Sequence, residues 1–199
     1  MVDDIDPNIC THIIYSFVVL DPTNYIIMLS DGGLDIDKNN IKNFINLKLR
    51  NPNLKLLVAL GGWTDSRFSK YSELLADPSK RTTFVNNAVE FLKTHGFDGL
   101  DLDYEYPGYD GVSTDKAGFT AFVQELKEAF QPYGWELTAA VSAVKSTIDN
   151  AYEVPELSEA LDAIHLMTYD FHGSSWELQV NHHSPLYGDA GDDLTTDVA

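Results

Sequence analysis

Short apolar runs rich in β-branched and aromatic residues alternate along this chain with longer segments of helical period, and that alternation confines it to a parallel sheet covered by helices. Residues 11–20, 54–60, 97–105, 135–142 and 163–170 read as strands. Segment 37–49 carries Ile41, Phe44, Ile45 and Leu49 at helical spacing and stops at Asn51-Pro52. Segment 78–95 places Phe84, Val85, Ala88, Phe91 and Leu92 on one face, with Gly96 as its C-terminal cap. The pattern repeats over 115–130 through Phe119, Phe122, Val123, Leu126 and Phe130, and 153–161 reads as a shorter helix. Strands joined by helical crossovers leave two architectures, an open doubly wound sheet and a (β/α)8 barrel. Gly61-Gly62 lacks the glycine pattern of a dinucleotide site, whereas Trp63, Glu105 and Tyr169-Asp170 gather at strand C-terminal ends, where a barrel builds its site.

The run Phe97-Asp98-Gly99-Leu100-Asp101-Leu102-Asp103-Tyr104-Glu105 sets three carboxylates at alternating positions of one strand. Side chains two apart share a face, so Asp101, Asp103 and Glu105 are expected to project together, with Leu100, Leu102 and Tyr104 on the other side. Crowded like charges raise the cost of ionising each member, so at least one carboxyl should keep its proton near neutral pH. That is how a general acid is made. A solvated acidic face fits poorly, because leucines interleave with the aspartates. A divalent-cation site fits poorly too, because the row lacks a glycine-bearing ligand loop. Asp98 has the other parity and reads as a support for the strand or its entry turn. His182-His183 has no third ligand and reads as a solvated loop, so neither metal nor cofactor is expected.

Composition narrows the partners. With 199 residues, 44% hydrophobic and 12% aromatic, the chain has enough material for one sizeable core. A formal net charge of -18 argues against nucleic acid and against an anionic membrane surface, and favours a neutral or cationic partner. The longest apolar runs are too short to span a bilayer, and no basic-then-apolar segment opens the sequence. Cys10 is the one cysteine, which excludes an internal disulfide and a thiolate metal cluster.

Taken in order, these motifs resemble the chitinases of glycoside hydrolase family 18. Asp98-Gly99-Leu100-Asp101-Leu102-Asp103-Tyr104-Glu105 looks like that family's Asp-x-x-Asp-x-Asp-x-Glu signature, and Leu60-Gly61-Gly62-Trp63 like its Gly-Gly motif. Met167-Thr168-Tyr169-Asp170 resembles its Met-x-Tyr-Asp motif, and the stretch from Cys10 to Phe17 its second strand. The similarity runs from about Asp6 to Tyr187. It implies an incomplete (β/α)8 TIM barrel whose segments match roughly the second to sixth strands, with 1–199 as a partial catalytic domain. A whole barrel takes roughly 250 residues. The expectation is therefore a fragment in which Met1 is not the natural start, and a cysteine partner for Cys10 would lie on the first strand. Two positions depart from the usual pattern: Tyr104 where many relatives carry Trp, and Thr64 where many carry Asn.

The resemblance also assigns roles. It implies an endo-type, extracellular chitinase that cleaves β-1,4-linked N-acetylglucosamine polymers with retention, the substrate's own acetamido oxygen attacking the anomeric carbon to give an oxazolinium ion. Glu105 would protonate the leaving oxygen, Asp103 would accept from the acetamido N–H, and Asp101 would share a proton with it. Tyr169 would donate to the acetamido oxygen and Asp170 would hold the distorted sugar. Tyr15, Gly62, Trp63, Tyr106 and Met167 would line the cleft for chitin or chitooligosaccharides. The alternative is a chitinase-like lectin that binds without cleaving. Relatives of that kind have usually lost the acid, so an intact Glu105 favours the enzyme. The isolated 199-residue chain is expected to be inactive or poorly folded, because three absent strands would leave open sheet edges.

Overall fold

The computed structural model describes residues 2–109, 112–173, 177, 178 and 180–187; Met1 lies outside them. Its elements are β1 (His12–Leu20), β2 (Ile27–Leu29), α1 (Asn40–Ile45), β3 (Lys55–Gly61), α2 (Lys70–Ala76), α3 (Pro78–His95), β4 (Gly99–Asp103), α4 (Asp115–Phe130), β5 (Glu136–Ser142), α5 (Lys145–Ala151), α6 (Val154–Ala160) and β6 (Ala163–Met167). They form one sheet in the order β2-β1-β3-β4-β5-β6, unclosed, with β2 and β6 at its edges. Every pairing is parallel except β1 with β2.

All five expected strands form, and the sheet gains a sixth. The added strand, β2, has three residues and turns back on β1 through Asp21, whose carboxylate accepts from the Thr23 N–H at 2.8 Å. Two short helices, α2 and α5, are also new relative to the sequence pattern. Each has seven residues, too few for a helical period to stand out. The expected helix over 37–49 divides into α1 and a 3₁₀ turn, Asn46–Leu49. Helix α3 matches its expected bounds. Asp77 caps its start by accepting from Ser79 N–H at 2.8 Å, Pro78 occupies the first turn, and Gly96 ends it at φ +84°.

Parity sorts the sheet into two faces. Leu56, Val58 and Leu60 of β3, Leu100 and Leu102 of β4, and Leu137, Ala139 and Val141 of β5 pack into one core with Phe84 of α3 and Phe119, Phe122 and Leu126 of α4. The opposite face carries the alternate residues, and the register sets Ala59, Asp101 and Thr138 side by side across β3, β4 and β5. Arg81 of α3, 9% exposed, joins Glu125 of α4 through three contacts of 2.9–3.1 Å, tying the two helices behind β4.

Asp98 does what its parity suggests. Its carboxylate accepts from Leu56 N–H and from Lys48, at 2.7 and 2.6 Å, and so pins the entrance of β4 to β3. Asp162 repeats the device before β6, accepting from Leu137 N–H and from Lys127 at 2.8 and 2.6 Å. No helix among the described residues is long and apolar enough to cross a membrane.

Candidate active site

Strand β4 ends at Asp103, two residues earlier than the alternation suggests. Glu105 lies beyond the ladder because its N–H is taken by a side chain, Ser66 Oγ at 2.9 Å, rather than by a neighbouring strand. The same hydroxyl donates to the Asp103 carbonyl at 3.3 Å, so buried Ser66 spans the turn that carries the last carboxylate. Gly62 N–H donates to that carbonyl as well, at 2.8 Å. Gly61, at φ +114°, is obligatory here: a Cβ would lie 2.3 Å from the Asp103 carbonyl oxygen. Ser66 escaped the sequence reading, since a lone serine carries no periodic or motif signal.

Asp101 and Asp103 share the open face of β4, both buried. Thr138 donates to Asp101 Oδ1 at 2.5 Å, and His165 Nε2 stands 3.6 Å from the same oxygen. Asp103 Oδ1 is buried without a hydrogen-bond partner. Burial, then the charges of Glu105 and Asp101, push the Asp103 carboxyl up to about 7. Asp101 is raised by burial against the opposing pull of Thr138 and His165. Glu105 is raised by burial and by the Asp170 charge, while a hydrogen bond with Tyr106 pulls it down. Asp103 therefore titrates near neutral pH, and burial does more than the crowding of charges to put it there.

Aromatic side chains wall the cleft beside Glu105. Trp63 is half-exposed and meets Tyr109 edge-on at 5.9 Å between centroids. Together with Ser66, Arg67, Phe68, Tyr104, Glu105 and Tyr106 they line a cavity of about 330 Å³. Tyr109 and Phe68, both exposed, went unremarked in the sequence because they lie in loops, where no periodicity marks them. Gly62, at φ +81°, lets the Phe17 ring approach to where a Cβ would stand 3.1 Å from it, and this brings a further aromatic to the open face. Phe17 was also missed.

Met167 follows His165 on the open face of β6, opposite Ser142 of β5. Tyr169 and Asp170 come just after β6 rather than within it. Burial, then Asp103 and Glu105, raise the Tyr169 hydroxyl pKa, which puts that hydroxyl in the field of the carboxylate row. Asp170 sits at φ +56° with His183 Nδ1 3.6 Å from its carboxylate; His183 is exposed in a loop, as expected, and that loop borders the site.

Tyr15 is a correction. It was expected to line the cleft, but it lies opposite Val58, on the helix-facing side of the sheet. Its ring packs against Phe44 and Phe97, and its hydroxyl donates to buried Asp35 while accepting from Asn40 at 2.8 Å. Burial and the Asp35 carboxylate push that hydroxyl up to about 12. The near-continuous apolar run of β1 carries no alternation from which its facing could be read.

The arrangement joins a row of carboxyl groups with raised pKa values to an aromatic trough, a combination suited to protonating a leaving oxygen on a substrate with apolar faces. Among the described residues no group of three or more His, Cys, Asp or Glu side chains could hold a metal ion.

The profile of Glycosyl hydrolases family 18 matches residues 2–199. The Endochitinase of Manduca sexta is 46% identical over 191 residues, which are 94% of this chain and 34% of that protein. The crystal structure of Ostrinia furnacalis Group II chitinase catalytic domain 2 superposes with a TM-score of 0.95 at 46% identity, covering 99% of this chain and 52% of that one. Human YKL-39, described as a pseudo-chitinase with retained chitooligosaccharide binding properties, superposes with a TM-score of 0.86 at 34% identity, covering 98% of this chain and 54% of that one. The chain thus spans about half the length of the solved relatives it matches. The unclosed sheet is an incomplete (β/α)8 barrel, as expected from the sequence.

Proposed function

The chain belongs to glycosyl hydrolases family 18, and on that premise we propose that it carries the catalytic row of an extracellular, endo-type chitinase. The observation that supports this best is the row itself. Asp101 and Asp103 share the open face of β4, and Glu105 follows just past its end, beside a trough lined by Trp63 and Tyr106.

In this reading Glu105 gives its proton to the glycosidic oxygen as the bond to the anomeric carbon breaks. The substrate's acetamido oxygen attacks that carbon, and the oxazolinium ion that results is hydrolysed by a water from which Glu105, now a carboxylate, takes a proton. Asp103 accepts from the acetamido N–H and offsets the developing positive charge; its unpartnered buried oxygen is suited to an incoming donor. Asp101, held by Thr138, takes up the proton that Asp103 must shed to do so. Tyr169 donates to the acetamido oxygen, Asp170 steadies the distorted ring, and Trp63, Gly62, Tyr106 and Met167 shape the bed on which it lies. Endo action follows the name of the Manduca relative.

A second reading, a lectin that binds chitin oligomers without cutting them, has the likeness to YKL-39 in its favour. The presence of Glu105 favours hydrolysis. The discriminating experiment follows N-acetylchitotetraose and its fully deacetylated counterpart by NMR with the full-length protein. Release of products with the β-anomer first, from the acetylated substrate alone, is the expected result. Equal cleavage of both substrates would exclude acetamido participation, and binding without cleavage would establish the lectin.

A further inference from the structure

Behind the catalytic strand lies a buried acid for which the proposed chemistry has no use. Asp115 opens α4 and is 2% exposed. Its Oδ2 accepts three hydrogen bonds: from Ser72 Oγ at 2.6 Å, from the Tyr104 hydroxyl at 3.2 Å and from Gly108 N–H at 3.2 Å. Two of those donors flank Glu105. Tyr104 immediately precedes it and Gly108 follows three residues later, at φ +76°, in a left-handed conformation that suits glycine.

The surroundings leave this cradle little freedom. The Tyr104 ring is stacked on Tyr71, with centroids 4.6 Å apart and planes 14° from parallel. Tyr71 is itself anchored through its hydroxyl to Asp65 at 2.7 Å. On the cleft side, Ser66 holds the Glu105 N–H. The backbone that presents Glu105 is thus gripped from in front by a serine hydroxyl and from behind by an aspartate.

We propose that Asp115 is a positioning residue for Glu105: one buried carboxylate oxygen ties Tyr104 and Gly108 together and so fixes the turn that aims the acid. The proposal rests on the reading of Glu105 as the proton donor. Its physical basis is that an anionic oxygen holds several donors more strongly than a neutral one, and that buried donors are costly to leave unmet. An acid at a helix start also complements the helix dipole. That effect alone would change stability and leave turnover per folded molecule untouched.

The test uses the full-length protein with Asp115→Asn and Tyr104→Phe, measuring chitotetraose hydrolysis and amide hydrogen exchange at Gly108. A displacement of about 1 Å costs on the order of 10²-fold in rate, so Asp115→Asn is expected to lower kcat about 10- to 100-fold with KM within about twofold. Tyr104→Phe keeps the stack on Tyr71 and should lose about three- to tenfold in kcat at unchanged KM. If Asp115→Asn does not fold, this second variant decides the matter. Gly108 exchange should accelerate in Asp115→Asn and stay at the wild-type rate in Glu105→Gln. Wild-type kcat in the folded variants, or a loss that merely tracks the folded fraction, would overturn the proposal. Should the wild type prove unable to hydrolyse chitin, the functional reading fails by itself, and Gly108 exchange still tests the clamp: an unchanged rate in Asp115→Asn refutes it.

Discussion

Strands β4 and β6 both deliver site residues from their C-terminal ends, yet they stand in opposite surroundings. All five residues of β4 are buried, with helices packed on its leucines and neighbouring strands on both sides. In β6, the edge strand, Ala163 to Leu166 are exposed, and Ile164 and Leu166 turn apolar side chains to solvent at 43% and 52% exposure. The half of the site on β4 is accordingly preformed: Thr138 fixes Asp101 and Ser66 fixes the Glu105 backbone. The half after β6, Tyr169 and Asp170, is exposed. In the proposed reading, proton chemistry belongs to β4 in the middle of the sheet and the grip on the sugar's acetamido group to the residues that follow β6.

The contrast can be broken or sharpened by substitution. Leu102→Ala in β4 opens a cavity at a position 2% exposed and should cost about 2–5 kcal/mol, read from denaturant unfolding. Next in size is a pH effect. Asp103, pushed up to about 7, binds more protons folded than unfolded between the ordinary aspartate value of 3.8 and that figure, so stability is highest at the acidic end and falls as pH rises through the window. The slope contributed is at most about 1.4 kcal/mol per pH unit, and Asp103→Asn should reduce it. Tyr169→Phe, after β6, should lower kcat about 10-fold, less than the loss typical of a fully buried donor to a developing charge. Leu166→Ala in the 199-residue chain should change stability by no more than about 0.5 kcal/mol. A cost for Leu166→Ala equal to that of Leu102→Ala would erase the distinction between centre and edge.

The legibility of the sequence follows the same division. The row on β4 could be read because leucine and aspartate alternate there strictly, and that parity placed Asp98, Asp101, Asp103 and Tyr104 on their observed sides. Tyr15 could not be placed, because β1 is apolar on both faces and its register shifts between Ser16 and Val18. The end of β4 was misjudged for a local reason, the capture of the Glu105 N–H by Ser66. Phe17, Phe68 and Tyr109 reach the site through backbone turns rather than through periodicity. Asp115 is legible as the first acid of a helix, but its link to Glu105 passes through Tyr104 and Gly108, and only three dimensions bring them together.

The central claim is that Glu105, held at the end of a buried and prearranged strand, donates the proton. It is tested most directly by chitotetraose binding and hydrolysis with Glu105→Gln in the full-length protein. Loss of a general acid should lower kcat by about 10²- to 10⁴-fold while oligosaccharide affinity stays within about threefold of wild type. Hydrolysis at the wild-type rate would contradict the account.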